Sequence, residues 1–536
     1  MVLSFFFIRF YFLLMSSPAQ PSLLTQGLGK LVAGERSEAE NLFKLHLQCS
    51  PDDAVAKHYL GILLSHRTSQ KSQGLKLILE SKRLVKKDVY FYNIISVFNT
   101  LVDINESSLL EEALDGILQE RKGHGEIESL AKLYLRIRSP LKAIKVVEES
   151  TDINQFFRKF YTSVALKLLG KNNEANNLFA DVLRIQPVHY CFNRNGPSSR
   201  DSILILHTGE LCDYRPVLNA DISFEICGGS YDLNALLTLD DFDLTRVFLV
   251  DSEALWGQLE DLGKCKLIIN AVSDAEVASD SLVVASALCN KIKRPVINLP
   301  RRVLSTSRED IATLADSIEG ILAPPTIKIE TKQISESLLS QNKFLPFRDS
   351  SLLVRPLGSS TGIGLIRLES LEKLLGVDAQ NCPEWINVTK FVDFKSADGL
   401  YRKYRVFVIG GDIFPEHCVI SLDWNIHSSS RMNEMQDSDI YREEEREFLR
   451  SPRAVLSEAN INSLRLLGQK IGLDYVGMDF SLTHDGRILL FEANSGMRVN
   501  NDYNESFPYL EKYTLAIRRR FEKMVFDKIH PDNSLR

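Results

Sequence analysis

The sequence predicts a multidomain chain: an all-α helical array, then an α/β domain with a parallel sheet, then an α+β domain built on antiparallel hairpins. Three observations predict it. A ten-residue block near the N-terminus returns much later in almost the same letters. After residue 200, short β-rich runs alternate with helix-like ones. Near the C-terminus a strand–turn–strand segment places acids inside apolar runs. At 536 residues the chain is too long for one ordinary core. A hydrophobic share of 44% and a charged share of 25% mark a folded, water-soluble protein. The formal net charge of −6 gives no footing for general nucleic-acid binding, so no nucleic-acid partner is expected. The eight cysteines contain no CxxC pair, which argues against a zinc site or disulfide scaffold and fits a reducing, cytoplasmic compartment.

Residues 1–21, MVLSFFFIRFYFLLMSSPAQP, form a leader with an apolar run of signal-peptide length. It lacks a basic start, Arg9 interrupts it, and it is too short to span a bilayer comfortably. A start at Met15 would leave only the polar MSSPAQPS, and both starts stand. Export or membrane association through this leader stays open. No other segment is apolar enough to cross a membrane, so no stable span is expected.

Residues 22–190 are expected to be helical. GERSEAENLF (Gly34 to Phe43), with Pro51 after it, returns as GKNNEANNLF (Gly170 to Phe179), with Pro187 after it. From position 34 to position 170 is 136 residues, four periods of 34. The small-residue register recurs less cleanly at Gly74, Ala113 and Ala143. LFKLHLQC and AVAKHYLGILL carry the i, i+3, i+4 spacing of amphipathic helices. The region resembles tetratricopeptide repeats, although no repeat carries the full pattern, and a generic helical bundle is the alternative. Either form reads as a docking surface for a protein or peptide partner rather than a catalytic one. Whether it holds substrate or joins copies of the chain stays open.

Residues 200–324 read as the α/β domain. Strands are expected at Ile203–Leu206, Arg246–Val250, Lys266–Asn270 and Pro295–Asn298, with a helix, ASDSLVVASALCNKI, between the last two. Strand–helix–strand order implies parallel pairing, and loops after such strands tend to form ligand sites. INAVSDAE leaves a strand into one of these loops, so Ser273 and Asp274 are candidates, with turn and helix-cap chemistry as the plainer alternative.

Residues 325–530 read as the α+β domain. SLLVRPLGSSTGIGLIRLES is strand, small-residue loop, strand. Gly358, Ser359, Ser360, Thr361, Gly362 and Gly364 have backbone N–H groups and hydroxyls suited to phosphate oxygens, with Arg355 at the strand's end. The loop is neither a P-loop nor a GxGxxG, and a simple hairpin loop would look alike. WINVTKFVDF runs from a strand into a polar stretch. In YRKYRVFVIGG, Arg402, Tyr404 and Val406 share one face, and Lys403, Arg405 and Phe407 share the other. Lys403 and Arg405 make a phosphate clamp or a solvated strand face. YREEEREFLR is expected as an exposed helix laced with ion pairs. His417, His427 and His484 have no ligand spacing and read as structural or solvated.

YVGMDFSLTHDGRILLFEANSG raises the sharpest question. With Asp485-Gly486 as a two-residue turn, His484 faces Arg487 and Asp479 comes opposite Glu492, with Asn494 on the same face. Opposed like charges repel, so the expectation is a missing positive charge, and a hard divalent cation is the candidate.

The order of these pieces resembles the ATP-grasp superfamily, over roughly residues 200 to 525, most closely at RPLGSSTGIG, DGLYRKYRVFVIGG and GLDYVGMDF…LLFEANSG. The resemblance implies an α/β pre-ATP-grasp domain followed by an α+β ATP-grasp domain, with ATP and magnesium or manganese as cofactors. It assigns the metal to Asp479, Glu492 and Asn494, the trio the hairpin register reaches independently. It implies a mobile lid at Gly358 to Gly364 and an adenine-facing hinge at Lys390, Phe391, Val392 and Asp393. It gives phosphate contacts to Arg355, Lys403 and Arg405, and Arg498 would hold the acceptor. Arginine stands at 355 where many members have lysine, and NSGM stands where peptide-forming members often show Asn-x-Pro. With its helical repeats the whole resembles a group of uncharacterised tetratricopeptide–ATP-grasp proteins. The implied activity is a ligase that activates a small-molecule or peptide carboxylate as an acyl phosphate for attack by an amine or other nucleophile. An ATP-grasp kinase and a non-catalytic nucleotide-binding scaffold are the alternatives.

Overall fold

The computed structural model describes residues 22–65, 67–84, 111, 114, 124–151, 153–191, 200–209, 213–219, 222–227, 231, 233–359, 364–377, 383–499 and 505–531. The apolar leader, Ala113, and the loop residues Ser360, Thr361 and Gly362 lie outside them. The chain divides into two compact units, Met1–Phe179 with Arg215–Glu225, and Ala180–Tyr214 with Ile226–Arg536. Among the described residues no helix is long and apolar enough to cross a membrane.

Up to Phe179 the described elements of the first unit are helices. Its described helices are α1 (Leu23–Val32), α2 (Arg36–Cys49), α3 (Ala54–Ser65), α4 (Lys71–Leu84), α5 (His124–Arg136), α6 (Pro140–Glu149), α7 (Gln155–Leu168) and the start of α8 (Asn172–Ile185). The repeated sequence block is also a repeated geometry. Gly34 and Gly170 both take a positive φ, 82° and 76°, which glycine adopts without a Cβ clash. Each stands two residues after one helix ends and two before the next begins. Ala39 and Ala175 then occupy matching positions at 0% exposure, as do Phe43 and Phe179. The small-residue register has a cause as well. At the α3–α4 contact, a methyl group added to Gly74 would stand 2.6 Å from the Gly61 carbonyl and 2.5 Å from Ser65 Oγ. The two backbones touch because neither carries a side chain there.

The second unit opens with β1 (Val188–Cys191) and β2 (Ser202–Thr208). The short hairpin β3 (Asp213–Leu218) and β4 (Ile222–Cys227), whose Arg215–Glu225 stretch belongs to the first unit, forms its own two-stranded sheet. Next come β5 (Asp243–Leu249), β6 (Leu267–Asn270), helix α9 (Ser279–Ile292) and β7 (Val296–Ile297). The order is β1-β5-β2-β6-β7, parallel from β5 to β7 with β1 antiparallel at one edge. All four expected strands and the expected helix are present. β6 is buried along its whole length, as a parallel central strand must be.

Helix α10 (Arg308–Asp316) and β8 (Ile321–Leu322) lead into β9 (Thr326–Glu330), β10 (Leu352–Pro356), β11 (Ile366–Leu368) and β12 (Trp385–Lys390), an antiparallel sheet ordered β11-β10-β12-β9. The last sheet, β14-β13-β15-β16-β8, uses β13 (Tyr401–Ile409), β14 (Asp412–Ser421), β15 (Tyr475–Leu482) and β16 (Ile488–Asn494). Gly410 and Gly411 close the β13–β14 hairpin, both with positive φ, as a primed two-residue turn requires. Helices α11 (Asp439–Arg450), α12 (Glu458–Ile471) and α13 (Glu511–Ile529) complete the unit.

One expectation is corrected. α11, the YREEEREFLR helix, is not simply exposed. It carries surface pairs Asp439–Arg442 and Glu443–Arg446, but Glu445 and Phe448 are fully buried. Glu445 meets Arg431 in a two-bond pair at 2.5 and 2.9 Å and also accepts from Cys418 N–H and Tyr509 Oη. A buried glutamate is tolerated when so fully partnered, and its partners are distant in sequence.

Replacing a mid-helix glycine by alanine ordinarily stabilises a helix by about 1 kcal/mol. Gly74→Ala is expected to do the opposite, because its methyl cannot fit against Gly61 and Ser65. A lower melting temperature for this variant than for the parent checks it.

Candidate functional site

The acids come together as the sequence reading requires, by a different route. Leu482 pairs with Ile488, Ser481 with Leu489 and Phe480 with Leu490, so the loop at the tip holds three residues between Thr483 and Arg487. Gly486, at φ 80°, takes the left-handed position of that loop. The register is then one residue away from the one a two-residue turn gives. A bulge between Asp479 and Phe480 shifts it back, and Asp479 does pair with Glu492. Two departures from the ideal hairpin cancel. Asn494 shares the face of Glu492, donating from Nδ2 to Glu492 Oε1 at 2.6 Å.

The expected absence of a positive charge is overturned. Arg405, whose strand β13 pairs with β15 directly opposite Asp479, grips that carboxylate with Nε at 2.6 Å and Nη2 at 2.9 Å. Lys403 Nζ stands 3.5 Å from Asp479 Oδ2 and donates to the Ile426 carbonyl at 3.2 Å. Glu492 receives Arg308 Nη2 at 2.7 Å, and Arg355 Nη1 lies 3.7 Å away. The cations come from β13, α10 and β10, too far along the chain for a local pattern to join them to the acids.

The electrostatics follow. Burial works to raise the pKa of Asp479, and Arg405 and Lys403 more than reverse it, holding the carboxyl well below its usual range. Glu492 is likewise lowered, burial and Asp479 being outweighed by Arg308 and Arg355. Arg355 pays most for the crowding: burial and the neighbouring Arg308 bring it down to about 10, still charged at neutral pH.

The other expected residues have partners of their own. Phe391 N–H bonds the Ser351 carbonyl at 2.8 Å, and Lys390 N–H bonds that of Pro325 at 3.0 Å. The Phe391 ring lies under the Arg367 guanidinium at 4.0 Å and edge-on to Trp424 at 5.5 Å. Asp393 closes a turn by accepting from Lys395 N–H at 3.2 Å. Gly358 and Gly364 both take positive φ, bounding the loop between β10 and β11. Arg498 contributes its carbonyl, which accepts from Arg405 Nη1 at 3.3 Å, while its side chain is exposed.

The loop after β6 reaches the same place. Ser273 Oγ lies 2.7 Å from where a Cβ on Gly496 would be, and a Val277 methyl lies 2.6 Å from the same point on Gly358. Asp274 Oδ1 accepts from the N–H groups of Glu276 and Val277, the plainer turn chemistry. Sequence reasoning missed Arg308, Glu276 and Asn387. Glu276 accepts from Asn387 Nδ2 at 3.2 and 3.0 Å, and Asn387 pairs across the strands with Arg355. It also set aside His427, whose imidazole is lowered by burial and by the nearby charges of Lys403 and Arg355. The one available signal was the SDAEV loop leaving a parallel strand.

Two carboxylates and an amide are the donor types a hard divalent cation takes. Among the described residues no group of three or more His, Cys, Asp or Glu is placed to hold a metal. Here both carboxylates are engaged by guanidinium groups, and Asn494 Oδ1 accepts from Gly496 N–H at 2.8 Å.

Asp479→Asn leaves Arg405 without its counter-charge and is expected to destabilise the protein by about 3–5 kcal/mol at neutral pH. Asp479→Asn with Arg405→Met should cost less than the sum of the two single changes, measured by denaturant unfolding. Because the folded carboxyls are depressed, their stabilisation is complete above the unfolded value of roughly 4 and fades as pH falls through the lower folded values. The parent should therefore lose stability more steeply than the double variant as the pH falls below about 4.

No protein-family model matches the chain, and no curated protein matches it. Among solved structures it is similar to D-alanyl-alanine synthetase A from Vibrio cholerae, at 12% identity and a TM-score of 0.36, over 62% of this chain and 97% of that one. It is similar to the D-alanine-D-alanine ligase from Coxiella burnetii, at 10% identity and a TM-score of 0.35, over 63% and 98%. It is also similar to the ATP-grasp ligase PsnB complexed with precursor peptide PsnA2 and AMPPNP, at 12% identity and a TM-score of 0.27, over 47% and 77%. Likenesses this distant carry no argument about activity. The solved structures named are ligases, and the one whose superfamily is named is an ATP-grasp ligase, the superfamily that the motifs of this chain resemble.

Proposed function

We propose that this chain is an ATP-dependent carboxylate ligase of ATP-grasp type, with its helical unit a tetratricopeptide-like array that recruits the substrate or a protein partner. The observation that carries it is the pair of opposed, ionised carboxylates, Asp479 and Glu492, each clasped by cations drawn from other elements. Four cations around two acids leave positive charge in surplus at the point where a polyphosphate would lie.

In this reading Lys403, Arg405, Arg355 and Arg308 turn from the carboxylates to the phosphates when nucleotide enters. The backbone of Lys390 to Asp393 faces adenine, with Asp393 near the ribose, and the Gly358 to Gly364 loop closes over the phosphates. The carboxylates so released, with Asn494, would hold magnesium or manganese, which when bound neutralises charge developing on the transferred phosphoryl group. A substrate carboxylate oxygen attacks the γ-phosphorus, ADP leaves, and an acyl phosphate forms. An amine then attacks the acyl carbon, phosphate leaves with the carbonyl–oxygen bond electrons, and the amine loses a proton. Lys403 and Arg405 stabilise the charge on the transferring oxygens, and Arg498 holds the acceptor.

Because each acid already has a cation, Mn2+ alone should bind weakly. Electron paramagnetic resonance is expected to show Mn2+ affinity rising at least about tenfold when ADP is added, a gain of about 1.4 kcal/mol. Equal affinity with and without ADP would contradict the exchange. Asp479→Asn and Glu492→Gln should each lower ATP turnover by roughly 10²-fold or more, the scale of losing one electrostatic stabiliser. Hydroxylamine added to a turnover reaction should yield a hydroxamate from the acyl phosphate. A stable phosphorylated product with no hydroxamate would instead identify a kinase.

A further inference from the structure

We infer that Glu276 and Asn387 form a seat for a primary ammonium group on the substrate, as an amino acid or a peptide N-terminus carries it. The inference rests on the ligase reading and names the class of compound that reading leaves open.

Among the carboxylates at the site, Asp479 and Glu492 have cations as partners, at 2.6 to 3.7 Å. Glu276 does not. Among the described residues it makes no ion pair: its side-chain partner is the uncharged Nδ2 of Asn387, at 3.2 and 3.0 Å, and its other hydrogen bond comes from the backbone N–H of Arg308. Burial raises its pKa, and Asn387 and the more distant Arg308 only partly offset this. Arg308 and Arg355, the nearest guanidiniums, are turned to Glu492.

Asn387 adds the second observation. It is 2% exposed, and its Oδ1 is buried with no hydrogen-bond donor among the described residues. A buried amide oxygen left without a donor is costly. Covalent geometry puts that oxygen roughly 2.3 Å from its own Nδ2, hence within about 5.5 Å of the Glu276 oxygens. One carboxylate with no cationic side chain paired to it and one amide oxygen with no donor, this close, match an ammonium group, which has three donors and no acceptor. A hydroxyl or neutral amide would satisfy Asn387 and leave the carboxylate without opposite charge.

The seat lies where a substrate must pass. Glu276 sits between Ser273, which packs on Gly496 just after the acid strand, and Val277, which packs on Gly358 just past the end of β10. Asn387 stands across the strands from Arg355. An ammonium bound there is beside the phosphate-facing cations without competing for Asp479 or Glu492.

Glu276→Gln tests it, because glutamine keeps the shape and still accepts from Asn387 while losing the charge. L-alaninamide, a cation with no carboxylate, and the neutral N-acetyl-L-alaninamide are titrated by calorimetry into the full-length, ADP-loaded protein. The expected result is binding of L-alaninamide alone, weakened at least about tenfold by Glu276→Gln, with ADP affinity and melting temperature unchanged. Equal binding of the two probes, no binding of L-alaninamide at millimolar concentration, or an affinity that Glu276→Gln leaves unaltered would overturn the seat. So would a parallel fall in melting temperature and ADP affinity, which would make the pair a clamp between loop and sheet. The titration needs no turnover, so a failure of the ligase reading appears separately, as absence of hydroxamate while L-alaninamide still binds.

Discussion

Two negative side chains that face each other across neighbouring strands must be neutralised, and this site does so with arginine and lysine. Asp479 and Glu492 stand opposite one another, and Arg405, Lys403, Arg308 and Arg355 gather on them from β13, α10 and β10. That requirement ties three elements to one point. β13 must lie beside β15 for Arg405 to reach Asp479, α10 must present its first turn to β16, and β10 must end near both. The antiparallel sheets and the loop after β6 are arranged around this meeting of charges.

Such an arrangement is stable and also poised. A buried ion pair contributes little beyond a hydrophobic substitute, yet breaking it on one side is costly because a charge is stranded. The acids and cations can part only if each finds a new partner at the same moment. A nucleotide phosphate with its divalent ion offers that: anionic oxygens for the guanidiniums and a cation for the carboxylates. On the proposed reading, the resting pairs keep the site formed before nucleotide arrives and disfavour entry of metal alone.

Much of this was legible in the sequence where the determinant is local. Strand–helix–strand alternation gave the parallel sheet, and the recurring GERSEAENLF block gave matching buried positions at Ala39 and Ala175. The Asp479–Glu492 pairing was reached only because a longer loop and a bulge offset each other, and neither is visible from an Asp-Gly pair. What stayed hidden depends on residues far apart in the chain. Arg308 and Glu276 went unnoticed and Glu445 read as part of a charged helix face, because each takes its meaning from a partner elsewhere in the chain, 184 positions away for Arg308, 111 for Glu276 and 14 for Glu445. For Glu445 even that short distance crosses a helix start and a turn, beyond any i, i+4 rule.

The central claim is that the two carboxylates exchange guanidinium for a divalent ion when phosphate arrives, and a crystal structure of the protein with magnesium and a non-hydrolysable ATP analogue tests it most directly. The account predicts Arg405 and Arg308 on phosphate oxygens, with one metal ion shared by Asp479 and Glu492. Nucleotide bound while Arg405 remains on Asp479 and Arg308 on Glu492, with no metal between the two acids, would contradict it.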